Sequence, residues 1–185
     1  GSTFKKNGYH SLLTRSSDKK VSLVQRSQIA YQLKADLLVS IHVNSTLSYT
    51  ENAWGIETFF FEGHDLLPRR GKTGFLFINC AKDMNILKAL CTRTKSIMNK
   101  SKTLAQAIQK SIINTLNNKN IKTKSRGIKK ETFRVFVQTE VPAALVEVGF
   151  LTNPKEATRL AKSGYRKLIA QGIYDGICAY LKDNQ

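Results

Sequence analysis

The sequence predicts an α/β fold, a mostly parallel twisted sheet flanked by helices in a single layered domain. Three observations carry that expectation. Short apolar runs of strand length alternate with longer segments whose apolar residues recur at helical spacing, the pattern of strands joined by crossover helices. A chain of 185 residues suffices for one compact domain with a real core and hardly for two. The apolar fraction is ordinary for a globular chain, and no run is long enough to cross a membrane.

Taken in order, His10 to Thr14 reads as a first strand. Ser22 and Gln25, three apart, form a capping box that opens a helix through Ile29, Ala30 and Leu33. Ala35 to Ile41 is an apolar run broken only by Asp36 and Ser40, a buried strand with His42 as its last residue and a loop opening at Asn44-Ser45. "GIETFFF" supplies the next strand. From Ser101 a helix carries Leu104, Ile108, Ile112 and Leu116 on one stripe, and residues 117–124 are too polar to continue it. "FRVFVQ" and "AALVEVGF" read as two further strands. In "TNPKE", Asn153 caps a helix, Pro154 takes its first position and Glu156 reaches back. The last helix has an unbroken apolar stripe from Leu168 to Leu181 that includes Gly172 and Gly176, and is expected to pack on the sheet.

Thirty Lys and Arg against thirteen Asp and Glu give a formal charge of +17, which favours a polyanionic partner. The basic residues are scattered over several segments without an aromatic-rich strand or recognition-helix pattern, so the reading is an anionic cell-surface polymer and no nucleic acid. Cys80, Cys91 and Cys178 lack C-x-x-C spacing and read as buried thiols, with room for one disulfide, and not as a metal knot.

Two polar intrusions point to chemistry. His42 closes one buried strand, and Glu147 sits near the end of a strand otherwise made of Ala, Leu and Val. Ligands gather beyond the carboxyl ends of strands in such sheets. A carboxylate inside a buried strand is costly unless it is paired, metal-bound or held protonated. Together the two suggest one site for metal-assisted hydrolysis. Each has a plainer alternative: a histidine satisfied by a backbone carbonyl, and a glutamate in a salt bridge with one of the many cations.

"GYHSLLTRSSD", "ADLLVSIHVNS", "WGIETFFF", "SRGIKKETFRVF" and "VPAALVEVGFLTNPKEA" resemble, in order, successive blocks of the zinc-dependent N-acetylmuramoyl-L-alanine amidases, the bacterial cell-wall amidase family. The resemblance implies a zinc hydrolase that cleaves the amide between N-acetylmuramic acid and the L-alanine of the stem peptide. Its substrate would be peptidoglycan, its place the periplasm or cell envelope, and its partners would include a division-associated activator. His42 matches a zinc ligand and Glu147 the catalytic glutamate. The family's two other ligands, a histidine in a Gly-His-Gly-Gly loop and a glutamate opening the first helix, lie upstream of the first matching block. The resemblance therefore implies an amidase-like domain over residues 3–185 without the family's first strand and most of its first helix, itself inactive and weak in zinc. His64 in "EGHD" and His10 are the remaining histidines, each more simply read as structural. Residues 63–100 form an insertion relative to simpler members, similar to the helix that covers the zinc in some cell-division amidases, or else a helix packed on the flank. A catalytically silent domain of the same fold, binding peptidoglycan or a division partner, is the runner-up. A nucleic-acid module leaves Glu147 unexplained.

Overall fold

The structure is a computed structural model that describes residues 8–47, 52–61, 84–131 and 140–184. Within them the chain runs α1 (Leu23–Gln32), β1 (Leu38–Asn44), β2 (Ile56–Phe61), α2 (Met84–Asn117), β3 (Ser125–Glu131), β4 (Ala143–Phe150), α3 (Pro154–Ala161) and α4 (Ser163–Lys182). The four described strands form one sheet in the order β1-β4-β2-β3. β1 pairs with β4 and β2 with β3 in parallel, while β2 and β4 meet antiparallel, so two of the three pairings are parallel.

The alternation along β4 divides the core. Ala144, Val146 and Val148 join Ile56 and the stripes of α2 and α4 in the main cluster on one face. Ala143 and Leu145, on the other face, pack with Leu38, Phe59, Phe61 and Met98. Leu104, Ile108, Ile112 and Leu116 are fully buried, as their spacing predicts. Gln109 on the same helix is buried yet satisfied: it accepts from Thr58 Oγ1 and donates to the Ile56 carbonyl and Ser125 Oγ, stitching α2 to β2 and β3.

The two glycines of α4 serve close approach to α2. A Cβ on Gly172 would lie 2.7 Å from Ile112 Cα, and one on Gly176 2.6 Å from Ile108 Cα. The stripe therefore packs helix on helix as well as in the cluster it shares with the sheet. Gly176→Ala is expected to cost about 1–3 kcal/mol by overpacking, read as a lower urea midpoint at unchanged m. An unchanged midpoint would mean that the helices do not approach this closely.

Several sequence expectations change. Residues 10–14 are not a strand: Leu12 and Leu13 are 71% and 78% exposed, and no backbone bond ties this stretch to a described strand, without which there is no ladder. β1 begins at Leu38 and continues past His42 to Asn44. The helix expected from Ser101 starts at Met84, so residues 84–100 of the expected insertion are the first half of one 34-residue helix. Its Met98 packs against the cluster of Phe61, Ala143 and Leu145, and Ser101 Oγ accepts the Ala143 N–H at 3.0 Å. Residues 62–83, with His64 and Cys80, and "FRVFVQ" lie outside the described residues. β3 was missed because "SRGIKKE" shows no apolar run.

Both expected caps exist, one with a difference. Ser22 and Gln25 form the full capping box of α1. Asn153 accepts from the Lys155 and Glu156 N–H groups, with Pro154 next to it. Glu156 does not reach back. Its buried carboxylate accepts from Phe150 N (2.8 Å) and Gly55 N (3.0 Å), tying the end of β4 to the start of β2. Gly55 has φ +105°, and a Cβ there would lie 2.4 Å from the Lys124 carbonyl oxygen, so this corner admits only glycine.

Candidate active site

His42 and Glu147 are brought together. They are register partners on adjacent parallel strands, and paired residues project from the same face of a sheet. By alternation that is the Ala143–Leu145 face, opposite the main helix-covered core. Both lie within a few residues of the carboxyl ends of their strands. The ladder slips between His42 and Asn44, so Asn44 pairs with Phe150, and its carbonyl accepts the Leu151 N–H at 2.7 Å. Thr46 meets Thr152 through two further contacts, which fastens the loops after β1 and β4 to each other.

His42 is half-buried, and burial, aided by the charge of Arg26, lowers its pKa below the ordinary value. It is thus a neutral imidazole at neutral pH. Nε2 lies 2.9 Å from Ser40 Oγ, two residues back on the same face, and this hydroxyl orients the ring. Nδ1 has no partner among the described residues. The backbone-carbonyl alternative for this histidine finds no support in those contacts.

Glu147 makes no ion pair among the described residues, which removes its plainer alternative. Its Oε2 is buried with no hydrogen-bond partner. Burial, and then the charge of Glu57, push the carboxyl up to about 7. Near neutral pH the group can therefore accept a proton or release one.

The salt bridge of that plainer alternative is made instead by the antiparallel partner of Glu147, Glu57. This carboxylate is 3% exposed. Its Oε2 accepts from Arg126 Nε at 2.7 Å and Lys129 Nζ at 2.6 Å, and its Oε1 from Asn44 Nδ2 at 2.8 Å. Those bonds outweigh the cost of burial and hold its pKa below the usual value. The row His42–Glu147–Glu57 thus crosses three neighbouring strands, ending in two cations from β3. Sequence reading missed Glu57, although "GIETFFF" carries the signal that exposed Glu147, a carboxylate inside an apolar strand. Asn44, read as a loop residue, is a strand-end residue bonded to Glu57.

Does this set suit a metal ion? Zinc takes neutral imidazole and carboxylate oxygens, and His42 and the unpartnered Oε2 of Glu147 offer one of each. No group of three or more His, Cys, Asp or Glu that could hold a metal exists among the described residues. The described side chains therefore fit part of a zinc site and do not complete one.

Fold and site together define a layered α/β protein with a histidine and an unpartnered carboxyl in register near its sheet ends. The chain belongs to the N-acetylmuramoyl-L-alanine amidase family, whose profile matches residues 1–179. It is 30% identical to the N-acetylmuramoyl-L-alanine amidase LytC of Bacillus subtilis over 92% of its own length and 27% of LytC. It is likewise 30% identical to the amidase AmiA of Escherichia coli, over 100% of the chain and 66% of AmiA, so it spans no more than about two thirds of either relative. Among solved structures, the catalytic domain of the amidase CwlV from Bacillus (Paenibacillus) polymyxa superposes with a TM-score of 0.71 at 29% identity, covering 98% of this chain and 78% of that one.

Proposed function

We propose that this chain carries the hydrolytic site of a cell-wall amidase that cleaves the amide between N-acetylmuramic acid and L-alanine in peptidoglycan. The observation that supports it best is the in-register pair of His42 and Glu147, with an orphaned Glu147 oxygen facing the same side. Glu147 takes the proton of the attacking water at Oε2 and delivers it to the leaving α-amine of alanine. His42, neutral and braced by Ser40, is a zinc ligand, the other ligands coming from beyond the described residues. Zinc, when bound, polarises the scissile carbonyl and brings the pKa of water towards neutrality. The site acts outside the cytoplasm, in the periplasm or cell envelope, and a division-associated activator is part of this reading. No helix among the described residues is long and apolar enough to cross a membrane.

Two measurements test the proposal. Soluble stem peptides should appear when purified peptidoglycan is incubated with zinc-loaded protein that carries its full ligand set; retention on the polymer without release would indicate a silent binding domain. Cobalt(II) reports the metal half without activity. Its visible absorption should titrate at least about tenfold more weakly in His42→Ala, the scale on which ligand-sphere changes act. Identical titrations would remove His42 from the ligand set.

A further inference from the structure

Arg126 is more elaborately held than an ion pair needs. Its Nε donates to Glu57 Oε2 at 2.7 Å, and its guanidinium carbon lies 5.0 Å from the centre of the Phe150 ring. Those contacts fix the guanidinium along one edge and across one face. Neither Nη1 nor Nη2 has a hydrogen-bond partner among the described residues, while the side chain keeps 27% of its surface exposed. Arginine presents its donors in a planar fork, so fixing one edge aims the other.

The location connects this free edge to the site. Glu57 is the direct cross-strand partner of Glu147, and Phe150 lies three residues beyond Glu147 on β4, about 10 Å along the strand at 3.3 Å per residue. The charge count points the same way: Arg126 and Lys129 share the single carboxylate of Glu57, so a positive charge is left over. A purely structural counter-ion for Glu57 would leave no such surplus, and Lys129 alone supplies one.

We propose that Arg126 is a specificity-determining residue of this cleft, its Nη1–Nη2 edge receiving a carboxylate of the substrate's stem peptide as a bidentate pair. The inference rests on the amidase reading for the identity of the substrate, and on the Arg126 geometry for the carboxylate. A peptide attached through its amine to the muramoyl group keeps its carboxylates, and one must lie within reach of the scissile amide.

The test compares N-acetylmuramoyl-L-alanyl-D-glutamic acid with the same compound bearing both glutamyl carboxyls as amides. Calorimetric titration of the Glu147→Gln protein, which holds the ligand uncleaved, should find the acid bound at least about tenfold more tightly, since a charge-assisted pair differs from a neutral one on that scale. Arg126→Gln in that background should erase the preference. Arg126→Lys keeps a cation for Glu57, and so the fold, but lacks the fork and should reduce the preference at least about threefold. Equal affinities, no binding of the acid, or an undiminished preference in Arg126→Lys would overturn the assignment. Turnover with Glu147 intact separates the two readings. Cleavage of both compounds at the same kcat/KM keeps the amidase and overturns the carboxylate site. Preference for the acid without any cleavage keeps the carboxylate site and removes the amidase.

Discussion

Glu147→Gln is expected to lower stem-peptide release by at least about a hundredfold while leaving the fold intact, since a positioned acid–base group contributes about 10²–10⁴ in rate. The amide has the shape of the carboxylic acid but cannot take up the proton of water. The same variant carries a second signature in stability. The Glu147 carboxyl is pushed up to about 7, chiefly by burial and then by Glu57, from about 4.5. A raised folded pKa means a contribution fully present below the unfolded pKa and lost as pH rises through the folded one. The Gln side chain does not titrate. The metal-free parent protein should therefore lose stability relative to Glu147→Gln as pH rises from 5 to 8, read from urea midpoints. A difference that stays constant over that range would mean that the carboxyl is not held in a dry setting, and near-normal peptide release by the variant would remove its catalytic role.

Glu57→Ala should be the most damaging change at the polar end of the sheet. It removes the carboxylate on which Arg126, Lys129 and Asn44 converge, leaving two cations beside each other on β3 and an unpaired amide on β1. Breaking a buried pair costs about 3–5 kcal/mol, but Arg126 and Lys129 are 27% and 41% exposed and can turn to water. A loss of about 2–3 kcal/mol follows, lowering Tm by roughly 5–10 °C in a domain of this size. Glu57→Gln should cost less, because its one carbonyl oxygen still accepts either from the two β3 cations or from Asn44. A melting temperature unchanged by the alanine would show that the network contributes nothing to the fold.

What was legible in the sequence was what local chemistry decides. Ser22 with Gln25 and Asn153 with Pro154 are self-contained caps, and both formed. "AALVEVGF" is so apolar that it had to be an interior strand, and the lone charge in it stood out. What was not legible depends on partners. Residues 10–14 have strand-like composition but no strand to pair with among the described residues, whereas "SRGIKKE" has little apolar character and becomes β3 because β2 offers it a ladder. Glu156 looked like half of a capping box, yet two N–H groups at the β4–β2 corner hold it. At the site, His42 and Glu147 could each be picked out by polarity in an apolar run, but their register, and the ion pairs of Glu57 beside them, are properties of strand pairing.

If the pair formed by His42 and Glu147 serves the hydrolysis of one particular amide, the bond that is cut identifies it. Identifying the new chemical end left on the released fragments tests that role most directly. Purified peptidoglycan is incubated with zinc-loaded protein that carries its full ligand set, and the soluble products are labelled at free amines and sequenced by mass spectrometry. Peptides with a newly exposed N-terminal alanine should appear with the parent protein, and at least about a hundredfold more slowly with Glu147→Gln. New reducing sugar ends, a cut within the peptide, or alanine ends that appear equally fast with the variant would contradict that role.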